Sequence, residues 1–169
     1  MMVPKLNILL VLVLCLGLVV SEDYDADYDW SDGVLTGDDL KIVIGNRKDK
    51  IIVTLWMNNV YEQWEQNKKN ERVKGTIKNL IDKCHPHTVY AEADVSDYNR
   101  DAFTFEELAK DWGIMLDVLH EGPLVMPVYQ NHGEMFWGTN QTQTISLVRA
   151  VHRYLIQVET EVWGEEPIK

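Results

Sequence analysis

Cysteine is nearly absent from this sequence. Its 169 residues contain two cysteines, Cys15 and Cys84. Cys15 lies inside an apolar N-terminal run, so a processed chain keeps Cys84 alone. A single cysteine excludes both an intrachain disulfide and a Cys-x-x-Cys redox motif. Cys84 is therefore expected to be a free thiol or to form an intermolecular disulfide.

Positive charge is also scarce. The chain has 16 Lys and Arg against 27 Asp and Glu, and its formal net charge is −11. Proteins that bind nucleic acids neutralise phosphates with clustered Lys and Arg, so this balance argues against a nucleic-acid partner. The sequence also lacks a Gly-rich phosphate loop and any readable spacing of catalytic Ser, His or carboxylate residues. It therefore predicts no enzyme active site and no cofactor.

Long apolar runs are absent except at the N-terminus. Lys5 precedes an apolar run, Ile8–Val20, which predicts a signal peptide over residues 1–21 with cleavage after Ser21. The run is short for a membrane span, so membrane attachment is expected only if this segment stays uncleaved. Cleavage changes the net charge from −11 to −12, because Lys5 is the single charged residue removed. A secreted or endoplasmic reticulum lumenal protein is predicted.

Two further features fit an exported chain. Residues 22–33 alternate acids with aromatics and show no apolar periodicity, which predicts an acidic disordered arm. Its acidic spacing resembles the start of a calcium loop, but the glycine and the terminal Glu of that loop are missing. Low-affinity calcium binding by this arm stays an alternative to a solvated tail. Asn140-Gln141-Thr142 is an N-glycosylation acceptor, with Asn140 as the modified residue.

Residues 34–158 read as one α/β domain, followed by an acidic tail over residues 159–169 that is predicted to be loose, with Trp163 in it. Val34-Leu35 is a candidate first strand, and the stretch from Thr36 to Gly45 fits a helix by its ends but a strand by its β-branched Ile42-Val43-Ile44. The later elements are a strand over 51–56, a long helix over 58–84 anchored at its start by Trp64, a strand over 88–94, a short helix with a Thr104/Glu107 capping box, a hairpin over 124–137 and a helix over about 142–158. Strands and helices alternate first and are followed by an antiparallel hairpin, and this order predicts an α/β sandwich with a mixed sheet.

The stretch from Gly122 to Trp137 organises this prediction. Gly122-Pro123 opens the apolar run Leu124–Tyr129, and Asn131-His132-Gly133 is a turn signal before a second short run. Pro127 has no N–H to donate, so its strand is expected to lie at an edge or to carry a bulge.

This order of elements resembles the thioredoxin fold. Three segments of this chain resemble the corresponding sequence segments of that family. They are the core strand ending in Trp56, the strand ending in Asp94, and Leu108–Ile114. The resemblance implies a cis Gly122-Pro123 bond facing the start of the long helix. It also implies a partner groove formed by Asn58, Asn59, Val60, Tyr61, Glu121, Gly122 and Pro123, in which the open backbone of Gly122 pairs with an extended ligand. A trans bond would remove that groove.

The family's redox cysteines have no counterpart here. Thioredoxin-like oxidoreductases place Cys-x-x-Cys after the core strand, where this chain reads Trp56-Met57-Asn58-Asn59-Val60-Tyr61-Glu62. The resemblance thus implies a fold without thiol–disulfide exchange. Cys84, His85 and His87 are close enough in sequence to suggest a metal site, but Pro86 opposes their convergence, and no metal is predicted.

The leading hypothesis is therefore a redox-inactive, thioredoxin-like protein of the secretory pathway that binds another protein as a chaperone-like, scaffolding or structural component. One alternative is a low-affinity calcium-binding protein similar to a calsequestrin domain. Another is a thiol or metal enzyme that uses Cys84.

Overall fold

The computed structural model describes residues 37–60, 62–96, 104–138 and 141–164, without the side chains of residues 141–143. The elements in chain order are α1 (Gly37–Asn46), β1 (Ile51–Met57), α2 (Trp64–Cys84), β2 (Thr88–Asp94), α3 (Phe105–Asp111), α4 (Leu116–Glu121), β3 (Leu124–Tyr129), β4 (His132–Gly133), β5 (Phe136–Trp137) and α5 (Gln141–Trp163). All of them belong to one compact unit, Gly33–Lys169. The predicted signal peptide, acidic arm, first strand and glycosylated Asn140 lie outside the described residues.

The strands form a mixed sheet in the order β2-β1-β3-β4, with β5 also paired to β3. β1 is parallel to β2 and antiparallel to β3, and both short strands of the hairpin are antiparallel to β3. The predicted fold class, an α/β sandwich with a mixed central sheet flanked by helices, is confirmed. Every residue of β1 is buried, as expected for a strand that is covered on both faces.

The two faces of β1 support two cores. On one face, Trp56 packs with residues of α1, α3 and α4, and its ring meets Trp112 edge-on at a centroid distance of 5.5 Å. On the other face, Val53 packs with residues of α2 and α5, including Ile77 and Leu155. The alternation of side chains along a strand produces this division, since successive residues point to opposite faces.

One polar residue of β1 is fully buried. The hydroxyl of Thr54 donates to the carbonyl of Met126 at 3.0 Å and accepts from Trp56 Nε1 at 2.9 Å. Both polar groups of this core are therefore satisfied, and they tie β1 to β3.

Several predicted elements differ in their extent. Residues 37–46 form a helix, so the helical alternative for this segment is confirmed and the strand suggested by the β-branched triplet is wrong; the predicted cap Thr36 lies outside the described residues. The long helix begins at Trp64 and not at Asn58, because Asn58–Val60 forms a loop held by side chains of α2. The capping box of α3 is confirmed, with Thr104 and Glu107 exchanging hydrogen bonds. The last helix continues to Trp163, so the tail is not loose from residue 159.

The prediction that the strand of Pro127 lies at an edge or carries a bulge was wrong. β3 is not an edge strand, because it pairs with β1 on one side and with the hairpin on the other. The hairpin ladder is interrupted between β4 and β5, where Glu134 N donates to Pro127 O at 3.3 Å. The two ladder segments keep one register, so there is no bulge. Pro127 lacks the donor that a continuous ladder requires there.

The turn of the hairpin lies one residue earlier than the sequence suggested. Tyr129 pairs with His132, and the two residues between them, Gln130 and Asn131, have φ angles of 48° and 66°. Two consecutive positive φ angles define the type I′ turn that suits the twist of a two-stranded hairpin.

The predicted cis bond was wrong. No peptide bond of the described residues is cis, so Gly122-Pro123 is trans. Helix α4, Leu116–Glu121, directly precedes this bond. Gly122 then leaves this helix in an extended conformation (φ −178°, ψ 167°), and the bond keeps the trans state that X-Pro bonds prefer. Among the described helices, none combines the length and apolarity needed to cross a bilayer.

Candidate functional site

The loop Asn58–Val60, between β1 and α2, is the centre of the candidate site. Asn58 is buried, Asn59 and Val60 are half-buried, and Tyr61 lies outside the described residues. Asn58 Nδ2 lies 3.1 Å from His120 Nδ1, which joins the loop to the end of α4. The structure therefore brings together the two segments of the predicted groove.

The second segment is less accessible than expected. Glu121 is exposed, but Gly122 and Pro123 are buried. Gly122 N donates to Val118 O at 3.2 Å as the last donor of α4. The amide of Gln66 also covers this backbone: one of its polar atoms lies 3.1 Å from Glu121 O, and the other lies 3.2 Å from Gly122 N. The backbone of Gly122 is thus occupied by the protein itself and is not open to a partner.

Asn70 fixes the loop from the side of α2. Its side chain is fully buried, and Nδ2 donates to Asn58 O at 3.2 Å and to Asn59 Oδ1 at 2.8 Å. The loop gains a third contact from Asn67 Nδ2, which donates to Val60 O at 3.0 Å. These amides replace the helical hydrogen bonds that the loop lacks, so its conformation is set by side chains of α2.

Asp94 fixes the loop from the side of β2. Its carboxylate accepts from Asn59 N at 3.2 Å and from Asn59 Nδ2 at 2.7 Å. It also accepts from Ser96 N at 3.0 Å and Ser96 Oγ at 2.8 Å. Four donors engage its two oxygens, so this carboxylate organises the loop and has little capacity left for a substrate.

A cavity opens beside this loop. Its volume is about 570 Å³, and it is lined by Asn58, Asn59, Val60, Val95, Ser96, Glu106, Leu116 and His120. Amide, hydroxyl and imidazole groups share its wall with aliphatic side chains. The volume falls in the range of ligand pockets. Such a wall can form hydrogen bonds and apolar contacts, and none of its described lining residues carries a thiol.

The polarity of the hydrogen bond between Asn58 and His120 follows from the donors available. An amide nitrogen such as Asn58 Nδ2 can donate a hydrogen bond but cannot accept one. His120 Nδ1 is therefore the acceptor, and the proton of the neutral ring lies on Nε2. The exposed His120 therefore presents an N–H donor beyond the cavity wall.

The second cluster of candidate residues, around Cys84, lies at the other end of α2. This helix has 21 residues, so its ends are about 30 Å apart at a rise of 1.5 Å per residue. Cys84 is free and half-buried. His85 turns inward to Glu159 and His152, whereas His87 stacks on Trp163 at a centroid distance of 4.4 Å. Within residues 37–60, 62–96, 104–138 and 141–164, no group of three His, Cys, Asp or Glu residues is placed to hold a metal ion.

Sequence reasoning missed several residues of the site, among them Asn70, Asp94 as a loop anchor, Ser96, Leu116 and His120. A signal for Asn70 was present, since Gln66 and Asn70 continue the buried stripe of Val73 and Ile77 at helical spacing. Buried polar side chains need hydrogen-bond partners, so polar residues on the buried side of a helix indicate hydrogen bonds to a neighbouring segment. His120 carried no such signal, because its contact depends on α4, which the sequence did not predict.

Comparisons with known proteins add little to this geometry. No protein-family model matches the chain, and no curated protein matches it. Among solved structures, it is similar to Fasciola hepatica thioredoxin, with 19% identity and a TM-score of 0.45 over 69% of this chain and 95% of that one. It is also similar to the germline-specific thioredoxin Deadhead of Drosophila melanogaster, with 20% identity and a TM-score of 0.47 over 70% of this chain and 97% of that one. The fold class rests on the strand order and directions described above, and these similarities say nothing of activity.

Proposed function

We propose that this protein acts by binding another protein at the cavity beside Asn58–Val60, without redox chemistry. The observation that supports the proposal most directly is the loop itself. At the end of the central strand, before the long helix, side chains of α2 and β2 hold three residues in a fixed conformation next to a cavity of about 570 Å³. Preorganisation of this kind lowers the entropic cost of binding.

The chemistry of the wall favours a polypeptide segment as the ligand. Asn58, Ser96 and His120 offer neutral donors and acceptors, and Val60 and Leu116 offer apolar contact. The carboxylate of Glu106 is paired with Lys110 Nζ at 2.7 Å, so the wall is close to neutral. A neutral segment that carries one apolar side chain among peptide groups matches these contacts.

This mode of binding differs from the one that the sequence suggested. The trans bond at Pro123 and the covered backbone of Gly122 remove the basis for adding a ligand strand at that point. Recognition is instead assigned to side chains of the loop, of the turn after β2 and of α4. The proposal keeps Asn58, Asn59 and Val60 as binding residues and exchanges Gly122 and Pro123 for Ser96, Leu116 and His120.

Site-specific photo-crosslinking tests this function. A benzophenone amino acid at Leu116, which lines the cavity, should capture a partner when the full chain is expressed in the secretory pathway. The matched control is Met115, the neighbouring residue, which is 70% exposed and is not part of the cavity wall. Leu116→Glu should abolish crosslinking from a second probe at Val60, whereas Met115→Glu should not. Equal capture from both positions would contradict the proposal.

The rival functions have separate tests. Insulin reduction should show no turnover, and Cys84→Ser should leave that result and the fold unchanged; turnover that depends on Cys84 would establish an enzyme. Calcium binding by residues 22–33 and export through residues 1–21 concern parts of the chain outside the described residues and stay predictions. Calorimetric titration with calcium tests the first, and the intact mass before and after glycosidase tests processing and the glycan at Asn140.

A further inference from the structure

A buried chain of ionisable groups joins the last helix to the loop after α2. His85 Nδ1 lies 2.7 Å from Glu159 Oε2, and His85 Nε2 lies 2.9 Å from His152 Nδ1. Thr88 Oγ1 donates to the other carboxylate oxygen at 3.3 Å. His85 and Glu159 are only 1% and 2% exposed. His152 and Glu159 are seven residues apart on α5, which places them on the same side of the helix.

The geometry limits how many protons this cluster can hold. An ionised Glu159 accepts from Nδ1–H of His85, and one N–H must lie between His85 and His152, because two bare nitrogens at 2.9 Å would repel. With one imidazolium the cluster has no net charge and keeps every hydrogen bond. A second imidazolium would place an N–H on both facing nitrogens, and the bond between the rings would break.

We infer that Glu159, His85 and His152 form an acid-sensitive latch, which holds the end of α5 on the loop after α2 and releases it when the cluster takes up a second proton. The loop contributes His85, β2 contributes the uncharged hydroxyl of Thr88, and α5 contributes His152 and Glu159. Closure therefore depends on side chains of two adjacent segments, the loop after α2 and β2, and of α5, which is distant from both in sequence.

The electrostatic environment of His152 agrees with this count. Burial lowers the pKa of His152 below its ordinary value of 6.5, and the neighbouring His85 lowers it further, while Glu159 acts in the opposite direction. A base whose pKa is lowered by folding binds fewer protons in the folded state. The stability that it provides is thus complete above pH 6.5 and declines as the pH falls below that value.

Release would expose an aromatic surface. Trp163, the last residue of α5, stacks on His87 at a centroid distance of 4.4 Å and meets Tyr129 edge-on at 5.5 Å. These contacts lie at the same end of α5 as Glu159. Opening of the latch would separate Trp163 from both rings and uncover the apolar face of the helix end.

Hydrogen exchange of the full-length protein tests the latch. After correction for intrinsic exchange rates, the opening constant of residues 152–163 should rise as the pH falls below 6.5. Each proton taken up on opening allows a rise of up to about tenfold per pH unit. His152→Asn keeps an amide near the position of Nδ1 but does not titrate, so its opening constant should stay flat. The matched control, His132→Asn on exposed β4, should keep the wild-type slope.

Two further measurements keep the test decisive if His152→Asn does not fold. Glu159→Gln removes the counter-charge of the imidazolium, so opening should begin at a higher pH than in the wild type. In the wild type, nitrogen NMR should show that His152 Nδ1 keeps its hydrogen bond to His85 at pH 7.5 and loses it on acidification, together with the rise of the opening constant. A flat wild-type opening constant, an equal slope in His152→Asn, or a hydrogen bond between the two rings that persists while the helix end opens would overturn the latch.

Discussion

The two ends of α2 solve the problem of buried polar groups differently. At the loop pole, which comprises Asn58–Val60, Asn70 and Asp94, neutral amides form most of the contacts, and the single carboxylate meets four donors. At the histidine pole, which comprises His85, His152 and Glu159, imidazoles form the links. Amides keep one protonation state at all physiological pH values, whereas imidazoles change theirs near neutrality. The first pole therefore holds a fixed shape, and the second depends on pH.

The difference separates two functions along one helix. A binding loop benefits from a conformation that pH does not alter, since its affinity then depends on the partner alone. A contact that fastens the end of α5 can be conditional without disturbing the sheet, because Leu147, Val151 and Leu155 anchor the rest of that helix in the core. Variants that exchange or remove these properties test the comparison.

Glu159→Ala should give the largest effect. It leaves Nδ1–H of His85 and the hydroxyl of Thr88 without their acceptor in a site that is almost fully buried. Breaking a buried charged contact in this way costs about 3 kcal/mol or more of unfolding free energy. Urea denaturation at pH 7.5 measures it.

The control for this variant lies on the same helix. Glu161 is exposed and pairs with Gln157 at 3.0 Å on the surface. Glu161→Ala should change the unfolding free energy by less than about 0.5 kcal/mol. Similar losses in the two variants would mean that the buried cluster contributes nothing beyond an ordinary surface carboxylate.

Asn70→Asp should cause the next largest loss of unfolding free energy. It introduces a titratable carboxyl group into the loop pole. The variant is nearly isosteric, but it replaces the donating nitrogen by an oxygen that faces Asn58 O and Asn59 Oδ1. A buried carboxylate opposite two acceptors costs about 2 kcal/mol at pH 7. Burial raises its folded pKa, so the deficit relative to the wild type should shrink as the pH falls through that raised value.

This pH dependence has the opposite sign to that of the histidine pole, where acid lowers stability. Denaturation curves of the variant and the wild type, compared at pH 7.5 and 5.0, separate the two signs. Asn79→Asp, at an exposed position of the same helix, is the control and should show no such convergence. A deficit in Asn70→Asp that grows in acid would contradict the assignment of Asn70 as a donor.

The fold was predictable because its signals are local. The nearly continuous apolar run of β1, the helical spacing of Val73, Ile77 and Ile81, and the Thr104 capping box each specify one element from adjacent residues. The failures concern competition between local and distant contacts. Asn58–Val60 has no local reason to leave the helical state, and it does so because Asn70 and Asp94 bind it across the fold.

The candidate site was predictable in place but not in chemistry. The order of elements placed Asn58 near the segment before β3, and Asn58 contacts His120 in that segment. The contact of the Gln66 amide with the backbone of Gly122 could not be predicted, since it depends on the exit angle of α4, which the sequence did not predict. At the other pole, the seven-residue spacing of His152 and Glu159 was visible, but their shared partner His85 is distant in sequence.

Substitution of Trp64, the first residue of α2, or of Trp163, the last residue of α5, should lower stability less than the two changes above. The sequence suggested Trp64 as an anchor and Trp163 as part of a loose tail, yet Trp64 is 64% exposed and Trp163 contacts two rings. Trp163→Ala should cost about 1.5 kcal/mol through lost aromatic contacts. Trp64→Ala, which loses a surface contact with Lys68, should cost about 0.5 kcal/mol. Thermal denaturation at pH 7.5 measures both, and the reverse ranking would restore the original expectation.

His120→Asn should give the smallest effect, although His120 and His152 each form a hydrogen bond through Nδ1. The partner of His120, Asn58, can rotate its amide and offer Oδ1 in place of Nδ2, and His120 is exposed to water. His85 has no such second face, because its other nitrogen is held by Glu159. His120→Asn should therefore change stability by less than about 0.5 kcal/mol and leave the acid transition unchanged, as measured by denaturation from pH 7.5 to 5.0. If this substitution alone abolished the acid transition, the pH dependence would belong to the loop pole, and the contrast between the two ends of α2 would be wrong.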